Sequence, residues 1–84
     1  MKNKVLVSIY VTSIDDSYQI YIPTNESINK VLELIVKSVY ELSDSNLDKD
    51  TKHYILDPDT GIVYTNDQII RDTNIKNGKK IILI

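Results

Sequence analysis

The residues in this chain whose types invite chemistry are few: one histidine, His53, and a scatter of aspartates. A histidine working as a general acid or base needs a partner within hydrogen-bond reach. The chain has no cysteine, and the nearby hydroxyls, Thr51 and Tyr54, read as ordinary strand residues. His53 is therefore expected at the surface or on a rim. The loop Asp44-Ser45-Asn46-Leu47-Asp48-Lys49-Asp50, with Asp57 and Asp59 beyond it, sets oxygens at alternating positions, as calcium loops do. An EF-hand loop also needs glycine at its sixth position and a bidentate glutamate at its twelfth. Counted from Asp44, those positions hold Lys49 and Ile55, so the segment reads as a solvated acidic loop. Gly61 and Gly78 stand alone and form no phosphate-cradling loop, and Asn77-Gly78 reads as a turn. Neither paired carboxylates nor a Ser/His/Asp arrangement can be argued from the spacing. The expectation is no catalytic residue, no metal site and no cofactor.

The elements that position these residues are bounded by size. With 84 residues the chain is expected to form a single domain, 1–84. A domain this small buries only about 60–65% of its unfolded surface. No cysteine is present to staple it, which fits a reducing cytosol. Fourteen residues are isoleucine and none is alanine or phenylalanine, a balance that favours strands because stiff branched side chains suit a pleated surface. No apolar run approaches the roughly 20 residues of a membrane helix. The start, Met1-Lys2-Asn3-Lys4-Val5, is basic, but Ser8, Thr12 and Ser13 break the apolar stretch behind it, so no signal peptide is expected. Ten basic and 12 acidic residues are well mixed and sum to −2, giving no drive towards nucleic acid or an anionic membrane.

Hydrophobic periodicity then orders the chain. Residues 4–11 alternate, with Val5, Val7, Ile9 and Val11 on one face and Leu6, Ser8 and Tyr10 on the other. After a turn from Thr12 to Ser17, residues 18–22 alternate again, with Tyr18, Ile20 and Ile22 together, so the two runs form a hairpin. Pro23 stops the second strand because it has no N–H to donate. Ser27 is the favoured helix cap and Thr24 the second choice. Ile28, Val31, Leu32, Ile35, Val39 and Leu42 then follow a helical period. Beyond a polar loop anchored by Leu47, residues 52–56 read as a third strand. Residues 57–61 read as a turn, 62–64 as a short fourth strand, 66–75 as irregular with Ile69, Ile70 and Ile75 as anchors, and 79–84 as a final strand. A helix after a hairpin can bury itself only against one sheet face, and the last strand must then pair in parallel with the first. This is an α+β arrangement of the β-grasp type.

The same order, with Asp72-Thr73-Asn74-Ile75-Lys76-Asn77-Gly78 leading into the last strand, resembles the ubiquitin superfamily over the whole chain. Within it, the entry Pro23-Thr24-Asn25-Glu26-Ser27-Ile28, the pair Asn66-Asp67 and the ending Ile75-Lys76-Asn77-Gly78 resemble the EsaB/YukD family of small bacterial ubiquitin-like proteins. Those proteins accompany type VII secretion in Firmicutes, and the isoleucine-, lysine- and asparagine-rich composition suits a Gram-positive source. The resemblance implies a non-catalytic cytoplasmic accessory or regulatory protein whose partners include cytosolic parts of the secretion apparatus. Sulfur carriers and protein modifiers of the superfamily end in a Gly-Gly tail. Here Ile81-Ile82-Leu83-Ile84 falls inside the last expected strand, so conjugation and sulfur transfer are the disfavoured alternative.

The sheet face turned away from the helix is the candidate site. It is expected to carry Leu6, Tyr10, Tyr21, Ile82 and Ile84, together with either His53 and Ile55 or Tyr54 and Leu56, since a one-residue slip reverses that choice. Contiguous exposed apolar surface marks an interaction site. Ubiquitin binds partners through this face, and Ile82 and Ile84 fall in similar places on the last strand. The occupant is expected to be a protein partner or, in a homodimer, the same face of a second copy.

Overall fold

The computed structural model describes residues 3–84, so the basic start at Met1 and Lys2 lies outside the described residues. Strand β1 (Lys4–Val11) and strand β2 (Asp16–Pro23) pair antiparallel, with Val7 opposite Ile20 and Leu6 opposite Tyr21. The hairpin loop is shorter than the sequence suggests. Asp15 adopts a left-handed φ of 49°, which aspartate tolerates, and the ladder resumes at once with Asp16. Pro23 ends β2 as expected.

Ser27 caps helix α1 (Ile28–Leu42), its hydroxyl accepting the Lys30 amide at 3.2 Å. The helix entry is laced to a distant segment. The amides of Ile28 and Asn29 donate to Gln68 and Asn66, and those of Ile70 and Arg71 donate back to Glu26 and Thr24. A short 3-10 turn over Ile70–Asp72 holds Ile70 fully buried beside the helix start. Ile28, Val31, Ile35 and Val39 are buried and Leu32 packs at their margin. Leu42 departs from expectation, being 58% exposed. It has the right angular position but occupies the final turn, where the chain swings away through left-handed Asp44 and Ser45. Leu47, from the loop that follows, is buried in the core.

The expected third strand contracts to β3 (Ile55–Leu56), and residues 62–64 make a single bridge, Leu56 to Val63, not a strand. The turn is too tight for a longer ladder: Asp57 accepts the Gly61 amide and its own amide donates to Ile62 within one short loop. The last strand, β4 (Lys80–Leu83), lies between β1 and β3 in the order β2-β1-β4-β3, parallel to β1 and antiparallel to β3. Val7, Ile9, Val11, Ile20, Ile22, Ile81 and Leu83 face the helix side and are buried, with Val5 packed at their edge. Gly78 sits at φ 87° in the turn before β4, a region that disfavours a side chain. Its amide donates to the Leu6 carbonyl at 2.7 Å, while the Asn77 side chain accepts the Leu6 amide at 2.8 Å. The result is a mixed four-stranded sheet with one helix on one face, the β-grasp arrangement.

Candidate functional site: the outer sheet face

Register fixes which side chains share the face opposite the helix. Neighbouring strands put paired residues side by side, so the face can be read as rows across the sheet. Tyr21 stands beside Leu6. The next row is polar, Gln19, Ser8 and Lys80. The row after it runs Ser17, Tyr10, Ile82, Leu56 and Val63. Beyond that, Ile84 and Tyr54 exchange backbone hydrogen bonds at 3.0 Å in both directions, which extends the ladder by one pair.

The five residues expected on this face are therefore all found there, in two groups. Leu6 and Tyr21 form one; Tyr10, Ile82 and Ile84 belong to the other, across a polar row. Tyr21 is 51% exposed, Ile84 43% and Tyr10 38%, whereas Leu6 and Ile82 are half-buried. The choice left open in the third strand resolves to Tyr54 and Leu56, because Ile55 pairs with inward-facing Leu83 and is buried. Val63 is an addition that strand-by-strand reading missed. Its place depends on one bridge formed by the return limb of a loop, and three residues supply too little alternation to reveal it.

Tyr10 is held in place on the face. Its hydroxyl donates to Asp15 at 2.6 Å, and this hydrogen bond, with a smaller part from burial, raises the phenol above its ordinary pKa. A shallow depression of about 420 Å³ lies beside it, bordered by Ser8, Ser17, Pro58, Lys80 and Ile82.

A second polar group lies at the margin of the sheet, centred on Asp57, which is buried. Its carboxylate accepts from Asn74 at 2.7 Å, from the Lys79 ammonium at 2.9 Å and from the Asp59 amide at 3.0 Å. Those hydrogen bonds, led by Asn74 and Lys79, hold the Asp57 carboxyl well below the usual carboxylate range. The Tyr64 hydroxyl donates to Asn74 at 2.6 Å, and Lys79 also reaches Asp59 at 2.6 Å. Every group in the cluster is engaged by another, so it is built as a clamp joining the turn at 57–61 to the approach to β4.

His53 lies on a rim. Its Nε2 faces the carbonyl of Asp48, and its Nδ1 lies 3.2 Å from the carbonyl oxygen of Ile84, with the Thr51 hydroxyl 3.3 Å from the ring. Each ring nitrogen thus lies against a main-chain carbonyl, and the neutral ring has one N–H to donate between them. A cleft of about 430 Å³ opens beside His53, walled by Leu32, Val36 and Tyr40 of the helix, with the Lys49 ammonium 4.4 Å from the centre of the Tyr40 ring. In the acidic loop, Asp48 accepts the Asp50 amide at 3.0 Å. Among the described residues no group of three or more His, Cys, Asp or Glu is placed to hold a metal ion. No helix among them is long and apolar enough to cross a membrane.

The fold is a β-grasp of the ubiquitin-like kind. No protein-family model and no curated protein matches the sequence. Solved structures match its fold. The ubiquitin-like domain of the Mycobacterium tuberculosis type VII secretion system protein EccD1 is similar at a TM-score of 0.75 and 13% identity, over 96% of this chain and 97% of that one. A chain of a toluene 4-monooxygenase complex is similar at 0.75 and 12%, over 95% of each chain. A chain of an ESX-5 inner membrane complex is similar at 0.69 and 12%, with 98% of this chain matching 21% of that one. At these identities the likeness is one of fold.

Proposed function

We propose that this chain is a non-catalytic ubiquitin-like protein of the cytoplasm, an accessory of a type VII secretion system of the EsaB/YukD kind. It acts by docking a protein partner on the outer face of its sheet. The single observation that carries the docking reading is the row Tyr10, Ile82, Leu56 and Val63, which lies side by side across three strands and a loop while the opposite face of the sheet is filled by core. Grouped apolar surface of this kind, rimmed by polar residues, is what partner sites use.

The secretion assignment draws support from two sides. The residues around Ser27 and Ile75 resemble the EsaB/YukD family, and the fold is like that of a secretion-system domain of nearly the same length. The likeness to a chain of a monooxygenase complex means that the fold does not choose between assemblies, so the residue resemblance bears that weight.

The test is a photo-activated cross-linker carried at position 10 and, as control, at position 42, which is exposed on the helix side. In the native cytoplasm a secretion-system component is expected to cross-link from position 10 but not from 42, and to be lost in the double variant Tyr21→Ser, Ile82→Ser. Cross-linking that the double variant leaves unchanged overturns the docking reading.

A further inference from the structure

We infer that the outer face is built for a partner segment that carries a carboxylate between apolar side chains, and that the carboxylate lands on Lys80. This deepens the docking reading above and rests on it. Lys80 stands in the middle row of the face, beside Ser8, with Leu6 and Tyr21 in the row on one side and Tyr10, Ile82 and Leu56 in the row on the other. It is the one charge in those three rows. Its chain neighbour Lys79 points the other way and is neutralised by Asp57 and Asp59. Among the described residues Lys80 makes no ion pair, and it is exposed. The protein as a whole carries −2, so this cation is not part of a generally basic surface.

The charge selects the occupant. A wholly apolar partner seated on both groups would strip water from the Lys80 ammonium and give nothing back, a heavy penalty for a covered charge. A second copy in a two-fold, face-to-face arrangement would bring its own Lys80 towards the first, adding like-charge repulsion. A partner carboxylate supplies a charge-assisted hydrogen bond at the one place where it is needed. Same-face residues recur about every 7 Å along a strand. An extended segment with an acidic residue flanked two positions away by apolar ones therefore spans all three rows.

The test pans a random displayed-peptide library against the intact chain and against its Lys80→Glu variant. The best binder is then synthesised with glutamate, glutamine or lysine at the selected position. Because Lys80 is exposed, the variant is expected to fold, and far-UV circular dichroism checks this. The expected result is enrichment of acidic residues between apolar ones, with amide chemical-shift changes at Ser8, Tyr10 and Ile82. Binding weakens by about tenfold when the glutamate becomes glutamine, and the preference reverses towards lysine on Lys80→Glu. Peptides that perturb this face with no acidic preference, or with a preference that Lys80→Glu leaves unchanged, overturn the inference while docking on the face stands. Peptides that perturb only other surfaces overturn both. A concentration-dependent dimer in light scattering that Tyr10→Ser abolishes assigns the face to a second copy and overturns the inference.

Discussion

Lys79 sets its ammonium 2.9 Å from a carboxylate oxygen of Asp57, which is itself buried, so one ion pair joins the turn after β3 to the residue that immediately precedes β4. The pair is not isolated. Asn74 donates to the other carboxylate oxygen of Asp57, and the Asp59 amide to the same oxygen as Lys79. The turn 57–61 and β4 are thereby held together by side chains where the ladder is only two residues long.

Stability is expected to fall at acid pH through this cluster. The Asp57 carboxyl is held below its ordinary value of 3.8, so the unfolded chain binds the proton more readily than the folded one. Its contribution is complete above about pH 4 and is lost as pH falls towards the depressed value. Lys79 is raised above 10.5, mainly by Asp59 and Asp57, so its contribution is complete below that pH and is lost as pH rises past it. Urea midpoints measured across pH should show the acid loss, and Asp57→Asn should make it shallower. At pH 7, Asp57→Asn should lower Tm more than Asp59→Asn, since the Asp59 side chain is 78% exposed. Equal effects of the two changes would show that burial of Asp57 does not set its contribution.

Helix orientation makes a second expectation. Ile35 is fully buried at the centre of the inner stripe, and Leu42 is mostly exposed at its end. Ile35→Ala should cost about 3 kcal/mol by denaturant unfolding, from lost burial and the cavity left behind. Leu42→Ala should cost less than about 0.5 kcal/mol. A large loss at Leu42 would mean that the last turn packs onto the core after all.

The turn before β4 makes a third. A Cβ at position 78 would meet no atom within 4 Å, so the penalty for Gly78→Ala comes from the positive φ alone. It should amount to about 1 kcal/mol, and Gly78→Asn should cost less because asparagine tolerates that region. Thermal unfolding of the two variants tests the order. Alanine as mild as asparagine would show that the turn relaxes to another conformation.

Much of this molecule was legible in its residues because the signals were local. Alternation in 4–11 and 18–22 set the inner and outer faces of β1 and β2, and Ser27 with the isoleucine–valine stripe set the start and side of α1. The parallel pairing of first and last strands followed from where a helix after a hairpin can go. Legibility failed where pairing, not pattern, decides. Tyr54 and Leu56 face outward because Ile55 meets Leu83, a contact between residues 28 positions apart that two strand residues cannot announce. Val63 joins the outer face through one bridge. The Asp57 cluster draws on Tyr64, Asn74 and Lys79, residues that look like ordinary turn and surface positions until the fold gathers them. Leu42 shows the opposite limit: a correct period says which side a residue takes, but not how far the core extends along it.

The fastening of Leu6 to Asn77 and Gly78, 71 residues on in the chain in the case of Asn77, bears on how the protein comes into being. The strand next to β1 in the middle of the sheet is the last of the four to be made. A ribosome that has delivered the hairpin and the helix has produced an open sandwich with Val7, Ile9 and Val11 covered on one flank only. Pairings that span most of a chain fold slowly, because the long loop must close before any contact rewards it. Closure should therefore be a late, single event once β4 has emerged. Until then the free edge of β1 stays open to capture by chaperones or by another strand.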